Sequence, residues 1–372
     1  MAEQSPDRMT VAMPGPSTEQ EVSGLRVAAI GGGTGLSTLL RGLKRHVPPP
    51  PASVAYARGW EHFPCTIQDL TGIVTVSDDG GSSGRLRKDM NMLPPGDLRN
   101  CMVALSEDEH LLSRLFQYRF GAGQGLEGHN LGNLLLAGLA DITGDFALAV
   151  KMSSQILATR GHLYPATTAN VTLTAQMEDG SIVRGETRIT ASHQRIVQLR
   201  MEPATAQALP EAVEAIQHAD LITVGPGSLY TSLITNMLVV GIPEALARAR
   251  GVRVFVCNLM TQANESLGLS ASQHIERIYD HAHASIFDYA LVNTAPISSA
   301  LQQRYAAQGA TPIEPDIARM EALGVQCIPG NFVYEGDVLR HNADRVTETV
   351  LHLAMEHHAV KSTVAPIAGH AQ

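Results

Sequence analysis

Residues 25–43, LRVAAIGGGTGLSTLLRGL, constrain this chain more than any other stretch. Positions 26–30 are a short, mostly apolar run, as expected of a buried strand. Gly31, Gly32, Gly33 and Gly35 then make a turn around Thr34, and Leu36, Leu39, Leu40 and Leu43 recur at helical spacing. A strand, a glycine turn and a helix start together form an anion site. Glycine lets backbone approach a phosphate closely, and the unpaired N–H groups of the first helical turn point at it. The dinucleotide fingerprint is only partial here, because its sixth position is Leu36, and no GxxxxGK[ST] occurs in the chain. The expectation is a nucleotide phosphate at Gly31, Gly32, Gly33, Thr34 and Gly35.

Composition narrows the partners. The chain has 372 residues, enough for a large core and about two domains at ~150 residues each. A net charge of −9 argues against nucleic acid or an anionic membrane as the main partner. No apolar run approaches the ~18–20 residues of a membrane helix. Residues 1–23 read as a disordered tail without the apolar core of a signal peptide. Cys65, Cys101, Cys257 and Cys327 lie far apart without a CxxC pair, which suits reduced thiols in a cytoplasmic protein.

The remaining pattern repeats the opening grammar. Four prolines at 48–51 make 48–66 an inserted surface loop, carrying Trp60 and Phe63. A strand at 72–77 ends in Asp78, Asp79, Gly80 and Gly81, a second glycine-rich turn. Asp97 is placed to cap a helix from Leu98, and Asp108 another running to about Phe120. A helical and hairpin section follows over 121–200. It comprises helices at 130–142 and 145–157, then strands at 171–177 and 182–189 around Asp179-Gly180. A helix at 209–218 and a strand at 221–224 lead into Gly225-Pro226-Gly227-Ser228 and an apolar helix. Strands at 252–258 and 289–293 flank a helix at 270–283, and a C-terminal helix and tail occupy 346–372. This alternation predicts a Rossmann-like α/β fold over 24–345: a mainly parallel sheet with helices on both faces and an added β-hairpin.

In such sheets the ligand crevice lies outside the carboxyl ends of the strands, so the glycine turns can share one cleft. Asp78 and Asp79, just past a strand, suit Mg²⁺ with a substrate phosphate, hydrogen bonds to a ribose, or a turn cap. Arg85, Arg87, Lys88 and Arg99 flank that turn, either as phosphate contacts or as a solvated basic face. Asn130 and Asn133, beside His129 in GHNLGN, share one helical face, where their amides can meet a base or sugar or cap the helix. Gly225, Gly227 and Ser228 form a far wall, with Ser228 as a cap and its helix dipole facing an anion. Thr261, Gln262 and Glu265 fall at the same ligand-facing edge. There is no GxSxG elbow, no HExxH and no metal-like Cys and His spacing.

Six segments, GGGTGLSTLLRGL, TVSDDGGSSGRLRKD, PPGDLRNCMVAL, GHNLGNLLLAGL, VGPGSLYTSL and VCNLMTQANES, occur in order. Together they resemble the gluconeogenesis-factor branch of the 2-phospho-L-lactate transferase-like family, over about residues 25–345. The proline-rich insertion and the N-terminal tail depart from the family and inherit nothing from it. The resemblance implies a Rossmann-like fold, cytoplasmic location and a UDP-sugar or other nucleotide ligand. It also implies a role in cell shape during gluconeogenic growth. The phosphate loop would be 31–35, and the base-and-sugar region would draw on Asn130, Asn133 and the turn at 225–228. LQQRY and VLRHN place Tyr305 and Arg340 at positions resembling the family's UDP-sugar contacts. The related transferases use an acidic pair and a divalent metal, and Asp78 and Asp79 match that pair. Two functions remain open at this level: a regulator binding a UDP-sugar such as UDP-N-acetylglucosamine, and a Mg²⁺-dependent transferase of phospho-lactyl type acting on a nucleotide diphosphate-linked substrate. Whether the chain forms a homo-oligomer is also left open.

Overall fold

The computed structural model describes residues 24–49, 66–107, 111–192, 194–262 and 265–364. The tail at 1–23, most of the proline-rich loop with Trp60, Phe63 and Cys65, and the Asp108 cap lie outside the described residues.

The central strand is β1, Leu25–Gly31. Residues 27–30 are wholly buried because both neighbours are also strands, which is why the run is continuously apolar rather than alternating. On one side lies β2, Ile67–Val74, followed by β3, His162–Pro165. The antiparallel β4, Thr172–Met177, β5, Ile182–Arg184, and β6, Ile196–Glu202, make a separate three-stranded sheet in the order β5-β4-β6. On the other side of β1 lie β7, Leu221–Val224, β8, Val252–Val256, β9, Tyr289–Asn293, and β10, Gln326–Gly330. The resulting seven-stranded sheet runs β10-β9-β8-β7-β1-β2-β3, with every pairing parallel. A short hairpin, β11, Val333–Glu335, with β12, Leu339–His341, completes the strands.

The strand order reverses between β1 and β7, which makes their carboxyl ends a topological switch point. Helix Gly33–Leu43 buries Leu36, Leu39, Leu40 and Leu43, and packs with helices Gly96–Leu105 and Ala343–Val364. Helices Pro210–His218 and Ile242–Arg248 pack together as a second group. No helix among the described residues is long and apolar enough to cross a membrane.

Three local expectations are corrected. Strand β2, expected over 72–77, spans Ile67–Val74, beginning and ending earlier. The second hairpin strand ends at Arg184, and 186–190 is a helix instead of a continued strand. Gly185, at φ 95°, breaks the strand, and Asp79 receives the Thr187 N–H from a distant turn. Strand β6 is an addition to the expected elements, although QLRME alternates; a register shift at Gln176/Met177 blurs the pattern at its start.

Candidate functional site

The two glycine turns meet at the switch point. A Cβ on Gly35 would lie 2.2 Å from the Pro226 carbonyl oxygen and 3.0 Å from Gly227 Cα. Only glycine permits that approach. Side chains hold each turn in place. Asn258 Nδ2 donates to the Gly227 carbonyl at 2.7 Å, and its Oδ1 accepts the Gly227 N–H at 3.2 Å. Asn236 Nδ2 donates to the carbonyls of Gly31 at 3.2 Å and Ser232 at 2.6 Å. Gln262 Nε2 donates to Ser228 Oγ at 2.9 Å.

The two helix starts are not equivalent. Ser228 makes no capping bond, and the π-helical turn Leu229–Ile234 is closed by Glu265. The Glu265 carboxylate accepts from the Tyr230 N–H at 3.1 Å, the Thr231 N–H at 3.3 Å and Thr231 Oγ1 at 2.7 Å. The expected anion site at this dipole is therefore already filled by a protein carboxylate. At helix Gly33–Leu43 no side chain caps from Gly32. Thr34 and Gly35 sit in its first turn, so their N–H groups lack intrahelical partners, and both residues line the cleft. This is the start that can take a phosphate.

The expected cap of a helix from Leu98 by Asp97 is also corrected. That helix begins at Gly96, and the Asp97 carboxyl turns toward the glycine loop, beside Gly32 and Gly33. Burial, with Asp78 nearby, raises its pKa from 3.8 to about 7. Glu186 lines the same cleft, its Oε2 accepting from Ser77 Oγ at 2.6 Å, and burial raises it well above the usual range. A carboxyl whose pKa is higher folded than unfolded favours folding most below its unfolded value, and that advantage is lost as pH rises to its folded value. For Asp97 the loss runs from about pH 4 to pH 7 and amounts to roughly 4 kcal/mol. Denaturant titrations should therefore show the wild type losing stability across that window, and Asp97→Asn losing several kcal/mol less. Equal pH slopes for the two proteins would refute this assignment.

The other end of the cleft is built from late segments. Tyr305, on helix Ser299–Ala306, accepts the Leu339 N–H at its hydroxyl at 3.1 Å, leaving the hydroxyl proton to donate elsewhere. Arg340 and His341 follow on β12. His341 Nε2 lies 3.0 Å from the Cys257 carbonyl, and burial lowers its pKa to about 4, so it is neutral at physiological pH and donates that Nε2 proton to the carbonyl. Leu259, Met260, Ile297 and Leu301 form a small apolar cluster against Tyr305 and Leu339. The cavity of about 470 Å³ thus has a polar glycine end and an apolar, aromatic end.

Several expected site residues fall elsewhere. Asp78 Oδ1 accepts the Gly80 N–H at 2.9 Å, whereas Asp79 Oδ1 is held by the Thr187 N–H at 2.8 Å and hydroxyl at 2.6 Å. Each carboxylate thus has its own protein partners. Among the described residues no cluster of three His, Cys, Asp or Glu is arranged to hold a metal ion, although Mg²⁺ with a substrate phosphate needs only one or two carboxylates. Asn130 caps helix Leu131–Thr143 by accepting the Asn133 N–H at 3.2 Å, and Asn133 Nδ2 donates to Ser82 Oγ at 3.2 Å. Both asparagines are buried outside the cleft lining, with His129 against the same serine. Arg85 donates to the Glu127 carbonyl, Arg87 to Asn170 and the Val171 carbonyl, and Arg99 to Asn100, so these arginines serve the scaffold. Glu186, Asn258 and His341 are cleft residues that local sequence does not single out, and Asp97 is one that it offers only as a helix cap. Their one available signal is a position beside turns or strand ends.

A doubly wound parallel sheet with two glycine turns facing each other at its switch point defines a Rossmann-like α/β protein with a cleft at that point. The family pattern described as 2-phospho-L-lactate transferase CofD matches residues 27–333. A gluconeogenesis factor of Halalkalibacterium halodurans is 48% identical over 326 residues, covering 87% of this chain and 95% of that protein. The gluconeogenesis factor of Bacillus subtilis is 43% identical over 332 residues, covering 89% and 98%. A crystal structure of a Bacillus halodurans protein superposes with a TM-score of 0.81 at 47% identity, covering 88% of this chain and all of that one. The chain belongs to the CofD family, in its gluconeogenesis-factor branch.

Proposed function

We propose that this protein binds a UDP-sugar, UDP-N-acetylglucosamine in the first instance, as a non-catalytic regulator of cell shape during gluconeogenic growth. The observation that carries the reading is the convergence of Tyr305 and Arg340 on the cleft of the first glycine turn. A diphosphate on the Thr34 and Gly35 N–H groups leaves the uridine or sugar to lie against Tyr305, Leu339, Leu259 and Met260. The Arg340 side chain, exposed and without a hydrogen-bond partner among the described residues, supplies a cation to the diphosphate or sugar. Binding requires only this lining. The transferase reading draws on Asp78 and Asp79, each of which already has a carboxylate oxygen engaged by a protein partner.

The test is calorimetric titration of UDP-sugars, GDP and NAD into wild type and Arg340→Ala, with and without Mg²⁺. The expected result is selective, Mg²⁺-independent UDP-sugar binding, weakened tenfold or more in the variant at unchanged thermal stability. Absence of UDP-sugar binding by the wild type would sink the proposal. Mg²⁺-dependent turnover would establish the enzyme instead.

A further inference from the structure

The first glycine turn lies beside half-buried acid. The Asp97 oxygens lie 3.0 Å and 3.5 Å from where side chains on Gly32 and Gly33 would begin. It therefore borders the space that a phosphate on Thr34 and Gly35 would fill. Among the described residues neither Asp97 nor Glu186 has an ion-pair partner. The charged and titratable groups around Asp97 come from every side. Asp78 faces it from the turn after β2, Glu186 from its short helix, and Cys101 and Arg99 from its own helix. Arg99 is committed to the Phe116 carbonyl and Asn100. Arg340 and neutral His341 line the far end of the cavity, and Glu265 closes the neighbouring helix start.

Building on the diphosphate-binding reading above, we propose that Asp97 is a specificity-determining residue that enters the complex as the neutral acid. Its proton-bearing oxygen donates to a phosphate oxygen, so ligand and proton bind together. Only hydrogen bonds form; the proton comes from solvent and joins the carboxylate. An ionised Asp97 would oppose the diphosphate in a site of low dielectric, whereas the acid supplies a donor that a bare glycine turn lacks. Burial and the Asp78 charge already hold the group near the protonation midpoint at neutral pH, so the proton is readily taken up. The diphosphate of a UDP-sugar is esterified at both ends and does not titrate in this range, so any pH dependence belongs to the protein.

The experiment is titration of UDP-N-acetylglucosamine into the full chain between pH 6 and 8.5, in buffers of different ionisation enthalpy. Wild-type affinity is expected to fall about thirtyfold across that range, approaching tenfold per pH unit above pH 7. Proton uptake should approach one per ligand at pH 8. Asp97→Asn should give a flat profile without proton uptake, and should bind more tightly than wild type at pH 8.5. Wild-type affinity independent of pH, with no proton uptake, overturns the proposal, as does an undiminished pH slope in Asp97→Asn. If that variant does not fold, the wild-type proton count decides. Absence of binding at every pH is a different result, which removes the UDP-sugar reading and this inference with it.

Discussion

Gly35→Ala is expected to abolish the cleft: ligand affinity should fall a hundredfold or more and stability by about 3 kcal/mol. The added Cβ would sit 2.2 Å from the Pro226 carbonyl oxygen and 2.7 Å from its carbon. Those atoms are backbone, so no rotamer change relieves the clash. The helix start must separate from the second glycine turn, and the Asn258 bonds that hold Gly227 resist the movement. Gly33→Ala is the informative comparison. Its φ is 57°, but its Cβ would meet nothing closer than Asp97 Oδ1 at 3.5 Å. Left-handed strain alone costs about 1–2 kcal/mol. Denaturant unfolding and calorimetry of both variants separate close approach from conformational strain. Wild-type affinity in the Gly35→Ala variant would show that the two turns do not need to touch.

Glu265→Ala should cost about 3–5 kcal/mol, a large loss for one polar side chain. Its carboxyl is 4% exposed and accepts from two backbone N–H groups and one hydroxyl at the start of the π-helical turn. Alanine leaves the Tyr230 and Thr231 N–H groups buried without acceptors, and each orphan costs about 1–3 kcal/mol. Thr231 and Ser232 line the cleft, so ligand affinity should fall in the same variant. Glu265→Gln retains one acceptor oxygen and removes a charge that burial already disfavours, so its cost should stay below about 2 kcal/mol. Denaturant midpoints for the pair measure the carboxylate's role directly. An alanine variant as stable as wild type would mean that another group or water caps this helix start.

Local patterns carried much of this architecture. β7 and β9 fall at the expected positions, as does helix Ala271–Ala282, where Ser270 and Gln273 form a reciprocal capping box. Helices Leu131–Thr143 and Phe146–Ile156 start at caps that the sequence displays, Asn130 and Asp145. The misses share a cause. Helix Glu186–Thr190 starts where Asp79 reaches it across the fold, and the first glycine turn meets an Asp97 carboxyl that local reading assigns to its own helix. The Asn130 side chain caps its own helix, and the Asn130 backbone N–H and the Asn133 side chain both donate to Ser82, outside the cleft lining.

Sequence alone therefore determined the fold class and the position of the first glycine turn, because periodicity and the need for glycine are written in adjacent residues. Tertiary structure decided which residues complete the site. It brought Tyr305, Arg340 and His341 to the cavity that the first turn lines, closed the second helix start with Glu265, and set half-buried Asp97 and Glu186 in its wall. Those outcomes depend on strand order and on the cost of burying charge, which arise only when distant segments pack together.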